Sequence, residues 1–119
     1  MLNLDTHILI YALSGGLTPK EQTFLSERNW GVSPIVFWEL STLVQKKRIE
    51  LDLNDPEVVR TLALLHVWPL SLTVCQKSTE LDFSSDPADE IIAATSIVYN
   101  VPLLTRDKRI QKSKLVPFA

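Results

Sequence analysis

The stretch from Asp86 to Asp107, DPADEIIAATSIVYNVPLLTRD, constrains the fold more than any other part of the chain. Asp86-Pro87 reads as a helix start, with Asp as N-cap and Pro at the first helical position. Asp89 then falls at the third helical position, where free backbone N–H groups and the positive end of the helix dipole favour a carboxylate. Ile91, Ile92, Thr95, Val98 and Tyr99 recur at helical spacing, and Ala93, Ala94 and Ser96 permit close packing. Asn100 suits the position just past the helix, and Pro102 cannot prolong it. Leu103-Leu104 is then a short buried strand. Thr105-Arg106-Asp107 leaves its carboxyl end, which in a parallel sheet is where α/β folds build their sites. The plain alternative is that Asp86 and Asp89 only cap a helix.

The rest of the chain supplies the partners of that unit. Leu2-Asn3-Leu4 reads as a short strand ending at Asp5, followed by a helix that Thr6 caps, with Ile8, Leu9, Ala12 and Leu13 as its apolar stripe and Gly15-Gly16 as its break. Thr18-Pro19-Lys20-Glu21 is a capping box with Pro at the first helical position, so a second helix starts at Pro19. Trp30-Gly31-Val32 is a second strand. Ser33-Pro34 opens a helix whose buried stripe is Ile35, Val36, Leu40, Leu43 and Val44, closed by Lys46-Lys47-Arg48. Asp55-Pro56 starts another helix, leading into Val58, Val59, Leu62, Leu65 and His66. Val67 to Leu70 reads as a strand that Pro69 confines to an edge or a strand end. Val74 to Phe83 reads as a shorter helix, and Leu115-Val116 as a last strand. Strands alternating with helices predict one α/β domain over residues 1–119, with a mostly parallel sheet and right-handed crossovers that put helices on both faces.

The totals narrow the function classes. With 119 residues, 45% hydrophobic and 22% charged, the chain has the composition of an ordinary globule able to bury a core. A net charge of −2 does not suggest a generic nucleic-acid binder, although the distribution of charge matters more than the sum. The single cysteine, Cys75, has no internal disulfide partner and suits a reducing compartment. The start, MLNLDTHILIYAL, lacks a basic region and carries Asp5 and His7 within its apolar part, unlike a signal peptide. No apolar run reaches the length of a membrane span. These features predict a cytoplasmic protein with no membrane partner.

Four acidic residues hold positions that matter. Asp5 ends the first strand, Asp107 follows a later one, Glu39 lies in an otherwise apolar helix (FWELST), and Asp89 sits on a helix start. A buried carboxylate without a partner is costly. Two of them about 4 Å apart repel by roughly 4 kcal/mol at an effective dielectric of 20. If the four converge, they need raised pKa values or a cation, and an all-oxygen donor set selects a hard ion such as Mg²⁺ or Mn²⁺. Spacing alone leaves open four unrelated surface acids.

The order of motifs resembles a known family. LDTH, then SPIVFWELS, then DPADEIIAATS, then VPLLTRD is similar to the PIN-domain family, and most of all to the VapC-type toxins of toxin–antitoxin pairs. The resemblance runs from Leu4 to Asp107. It implies a PIN-like three-layer sandwich with a mostly parallel central sheet flanked by helices, and a divalent-metal-dependent endoribonuclease that leaves a 5′-phosphate and a 3′-hydroxyl. Carried over residue by residue, the catalytic and metal-holding acids are Asp5, Glu39, Asp89 and Asp107. Thr6 and Thr105 match hydroxyl positions beside them, Ser33 the serine before the glutamate helix, and Asp86 an accessory acid. Glu90 departs from the pattern, where relatives often carry a basic or neutral residue. The resemblance further implies an RNA substrate, a cognate antitoxin and a homodimer.

Other residues read more plainly. Arg106, Lys108, Arg109, Lys112 and Lys114 cluster beside Asp107, either as phosphate contacts or as a solvated charge run; Arg106, Lys108 and Arg109 are the nearest candidates for RNA. Trp30, Trp38 and Trp68 each lie in an apolar segment and read as core or interface rather than as base-stacking platforms. Trp30, Ile35, Phe37 and Trp38 offer more apolar surface than one small domain easily buries, so this face, or that of the Ile8–Leu13 helix, is the expected two-fold interface. His7 and His66 lack the spacing of a metal site, and Cys75 has no recognisable base. Two competing readings remain. One is a phosphohydrolase with Asp5 as nucleophile, which would prefer Asp where His7 stands. The other is a catalytically idle PIN domain that serves as an RNA-binding or partner-binding scaffold.

Overall fold

The computed structural model describes all 119 residues. Four strands, β1 (Leu2–Leu4), β2 (Trp30–Val32), β3 (His66–Val67) and β4 (Leu103–Leu104), form one sheet in the order β3-β2-β1-β4, with every pairing parallel. Seven helices flank it: α1 (Thr6–Ser14), α2 (Pro19–Ser26), α3 (Pro34–Gln45), α4 (Pro56–Leu64), α5 (Leu72–Ser78), α6 (Pro87–Tyr99) and α7 (Lys108–Gln111). The architecture is the α/β sandwich with a parallel central sheet that the alternation of strands and helices predicts. No helix is long and apolar enough to cross a membrane.

Strand order locates the crevice. From β1 the chain moves outward through β2 to β3, then returns to place β4 on the other side of β1. The order therefore reverses between β1 and β4, and ligands of open α/β sheets bind outside the carboxyl ends of the strands at such a switch point. The register pairs Asn3 with Leu103 and Leu4 with Leu104. Residues Asp5 and Thr105 thus emerge side by side.

The core beneath that crevice comes from Leu2, Leu4, Ile8, Leu9, Val32, Val36, Leu40, Ile92, Leu103 and Ile110, all essentially inaccessible to water. The small buried residues Ala93, Ala94 and Ser96 let α6 lie close on the sheet. Asn3 anchors it: its side-chain amide donates to the Ile92 carbonyl (3.0 Å) and to Ser96 Oγ (2.9 Å). A left-handed Asn100 (φ 52°) ends α6, and a left-handed Gly15 (φ 83°) ends α1, which is the use such residues have at helix ends. At Gly31 a Cβ would stand 2.5 Å from the Trp68 ring, so this glycine lets a buried tryptophan lie against β2.

Several local expectations need correction. Asp5, not Thr6, caps α1, because its carboxylate accepts from Thr6 N–H (2.8 Å) while Thr6 already has helical geometry. The edge strand is His66–Val67 rather than Val67–Leu70, since Pro69 has no N–H to give the ladder. Helix α5 covers Leu72–Ser78, because Ser71 caps it through Val74 N–H and so starts it earlier. Leu115-Val116 is not a strand; the tail reaches β4 only at Phe118, through one bridge to Leu103. Val59 faces solvent, and Ile35, Phe37 and Trp30 pack partly against the core, so much of the apolar surface that suggested an interface is used within the domain.

Candidate functional site

Asp5 is the centre of the site. It is only 5% exposed, yet no basic side chain forms an ion pair with it. One carboxylate oxygen accepts from Thr6 N–H (2.8 Å), the other from the Thr105 hydroxyl (2.6 Å). The Thr105 oxygen in turn accepts from Asp107 N–H (3.0 Å), which ties the loop after β4 to the end of β1. Burial pushes the Asp5 pKa above the ordinary carboxylate range, against the lowering effect of the Thr105 and Thr6 bonds and of nearby His7, with Asp107 adding to the rise.

Glu39 joins this centre through Thr6, whose hydroxyl donates to Glu39 Oε1. Helix α3 carries Glu39 there because Ser33 starts it: the buried Ser33 hydroxyl accepts from Ile35 N–H, and Pro34 takes the first helical position. Asp107 caps α7, accepting from Arg109 N–H (2.8 Å) and Ile110 N–H (3.2 Å). Asp89 stands in the first turn of α6, where Ser85 donates to it (2.8 Å). The Asp89 pKa is pushed up to about 6, chiefly by burial; the Ser85 bond opposes this, and the charges of Asp5, Glu39 and Asp107 add to it. The four acids read from the sequence are thus linked by hydrogen bonds or felt by one another as charge. They do not close into a cage, for no three acidic, histidine or cysteine side chains are disposed to hold an ion together.

The donor set nonetheless suits a hard cation. It is all oxygen, two threonine hydroxyls orient it, and its charge is not neutralised by any basic side chain. Asp86 occupies the N-cap of α6 as predicted, but its carboxylate makes no capping bond. Arg109 reaches the Ser84 carbonyl (3.4 Å) in front of the same helix.

Arg106 takes up an unforeseen position. Its guanidinium binds Glu21 through Nε (2.8 Å) and Nη2 (2.6 Å), donates to the Gly16 carbonyl (2.7 Å) and lies over the Tyr11 ring at 4.0 Å. Glu21, expected as half of a capping box, forms that box and also this ion pair. Eighty-five residues separate the two partners, so no local pattern could signal it. Ser85 was missed for a different reason: its partner Asp89 is only four residues on, but Asp86-Pro87 already supplies a complete helix start and leaves Ser85 reading as a loop residue.

This geometry agrees with the comparisons to known proteins. The PIN domain profile matches residues 3–114, and the chain belongs to the PIN-domain family. Within that class it is homologous to a VapC-type ribonuclease: it is 31% identical over 87 residues to Ribonuclease VapC22 of Mycobacterium tuberculosis, a match covering 70% of this chain and 66% of that protein. Three solved structures share the fold. A toxin–antitoxin complex from Klebsiella pneumoniae matches with a TM-score of 0.73 at 21% identity, over 94% of this chain and 91% of that one. VapBC2 from Rickettsia felis, bound to a DNA fragment from their promoter, matches with 0.73 at 20% identity, over 100% and 98%. FitAcB from Neisseria gonorrhoeae matches with 0.74 at 20% identity, over 100% and 97%.

Proposed function

We propose that this chain is a divalent-metal-dependent endoribonuclease and the toxin of a toxin–antitoxin pair. The observation that carries the reading is Asp5: a buried carboxylate with no basic side-chain partner, held by the Thr6 N–H and the Thr105 hydroxyl at the β1/β4 switch point, whose charge, with those of Glu39 and Asp107, is felt at Asp89. Membership of the PIN family supports it, as does the similarity to a protein named a ribonuclease.

Asp5, Glu39, Asp89 and Asp107 would hold Mg²⁺ or Mn²⁺. When bound, the ion offsets charge developing on a phosphate and acidifies water. The chain's own residues do the rest. Thr6 and Thr105 hold Glu39 and Asp5 in fixed orientations, as outer partners of metal ligands do. Ser33 sets the start of the helix that carries Glu39. Lys108 and Arg109 flank Asp107 and serve as phosphate contacts, which offset the repulsion between an acidic site and a polyanion. Arg106, engaged by Glu21, contributes its remaining positive field rather than a free side chain.

A toxin must be silenced, and the acidic crevice suggests how. A partner segment that folds on binding would insert an Arg or Lys among the carboxylates, its charge replacing that of the metal. A two-fold homodimer completes the reading.

The test uses the purified chain, single-stranded RNA and Mg²⁺. Cleavage is expected with Mg²⁺, and none is expected with excess chelator or in Asp5→Asn. RNA binding without cleavage under all conditions would favour the idle scaffold instead. Full activity in chelator would refute the metal mechanism.

A further inference from the structure

Beside the acid cluster, the start of α6 and the outer face of α3 enclose a groove of about 530 Å³, lined by the apolar Ile35, Trp38, Leu43 and Pro87 and by the carboxylates of Glu39 and Asp86. Its size falls within the roughly 300–1,000 Å³ of small-ligand sites. Glu39 belongs to both the groove and the acid cluster, so whatever fills the groove lies next to the proposed cleavage centre.

Trp38 dominates the groove. It is 61% exposed, and its indole N–H donates to no protein group, whereas Trp30 Nε1 is spent on the Leu25 carbonyl. No aromatic ring or cation covers it; the ring pairs and cation contacts of the molecule involve other residues. An uncovered indole is a stacking platform for a nucleobase. Asp86 adds an acceptor. Asp5, Asp55 and Asp107 all spend a carboxylate oxygen on capping their helices, whereas the Asp86 carboxylate does not.

Charge decides which part of an RNA strand belongs here. Two carboxylates repel phosphate, so the sugar-phosphate chain runs elsewhere, toward Lys108 and Arg109, and a neutral base enters. A carboxylate offers two acceptors and is satisfied best by two adjacent donors. Guanine presents such a pair, N1–H and N2–H. Adenine, cytosine and uracil each place an acceptor beside their donor, and that lone pair would face the carboxylate. We propose that this groove is a subsite for one unpaired guanine next to the scissile phosphate, stacked on Trp38 and read by Asp86. The proposal rests on the ribonuclease reading and specifies its substrate.

The experiment measures binding of the full chain to labelled hexanucleotides UUGUUU and UUAUUU in chelator, where cleavage does not interfere. The wild type is expected to bind the guanine strand about 10-fold more tightly, the lower end of what hydrogen bonds to a charged group contribute. Trp38→Ala weakens both strands about 10-fold and Trp38→Phe restores most of it, as expected of stacking. Asp86→Asn brings the guanine strand down to the adenine level and leaves the adenine strand unchanged. Equal binding of both strands by the wild type, or no loss in Trp38→Ala, overturns the subsite. So does a dimer that becomes monomeric in Trp38→Ala with RNA binding intact, since Trp38 then joins two copies of the chain. If the wild type degrades RNA with Mg²⁺ but fails these binding tests, only the subsite falls. If it neither binds nor degrades RNA, the ribonuclease reading falls with it.

Discussion

Two acidic residues of this molecule expose little of their surface, and their carboxylates fare in opposite ways. Glu21 is 8% exposed and Asp5 5%. Glu21 faces the forked guanidinium of Arg106, and that hydrogen bond is the main reason its pKa drops from 4.5 to about 2. Asp5 has hydroxyl and amide donors but no cation, and burial raises its pKa. Burial alone does not set the state of an acid; compensation by an opposite charge does. Glu21 is thus satisfied by the chain itself and serves structure. Asp5, with its charged neighbours, is left with a demand that either a bound proton or a cation meets. A helix start holds each acid, so the local sequence contexts look alike while the roles diverge.

The sharpest way to break the contrast is to remove the unmet charge. Asp5→Asn should reduce Mg²⁺-dependent RNA cleavage by more than about 100-fold, beyond the 10- to 100-fold typical of losing a metal ligand's outer partner. Its thermal stability without metal should equal or exceed that of the wild type. Single-turnover cleavage and calorimetry together check this, and an active variant would show that Asp5 is not a ligand.

The converse change strips Glu21 of its cation. In Arg106→Ala the Glu21 carboxyl loses its main partner but keeps the Thr18 N–H bond of the capping box, so its pKa should climb from about 2 toward its ordinary 4.5. The melting temperature at pH 7 should fall by several degrees. Glu21→Gln in the same background should recover much of that loss, because it removes the unpaired charge. NMR titration of the glutamate and melting curves of the two variants measure it. A Glu21 pKa that stays near 2 would mean that the capping box, not Arg106, holds it down.

Thr105→Val tests the orienting hydroxyl. Loss of the 2.6 Å bond to Asp5 should cost about 10-fold in kcat with little change in KM, consistent with an outer-partner role. An unchanged kcat would place Thr105 outside the machinery.

The smallest expected effect is on pH dependence. Asp89 has its pKa raised from 3.8 to about 6 in the folded protein, so folding favours its protonated form. Its contribution to stability is fully present below pH 3.8 and is lost as the pH rises through about 6. Glu21, lowered to about 2, runs the other way: its contribution is present above pH 4.5 and is lost as the pH falls toward 2. Metal-free wild type should therefore lose about 1 kcal/mol between pH 4 and pH 7 from Asp89, a figure reduced for its partial exposure. Asp89→Asn should flatten that decline, and Mg²⁺ should offset it by binding the folded state. Urea denaturation across this range reads the difference.

Much of the architecture was legible because it is written in short-range chemistry. Thr18-Pro19-Lys20-Glu21, Ser33-Pro34, Asp55-Pro56 and Asp86-Pro87 each mark a helix start through a cap and a ring-fixed φ, and all four helices begin there. The short apolar runs at Leu2–Leu4, Trp30–Val32 and Leu103–Leu104 are strands as expected. Leu115-Val116 failed because a strand exists only through its partner, and the tail meets β4 two residues further on. By itself the sequence determined the kinds of element, their order and the four acids that end or begin them, since capping, φ restriction and hydrophobic period act over a few residues. Only the tertiary structure decided what each acid is for. Which acid meets a guanidinium 85 residues away, which keeps its charge unmet, and which tryptophan stays uncovered depend on a strand order and a β1/β4 register built from long-range contacts.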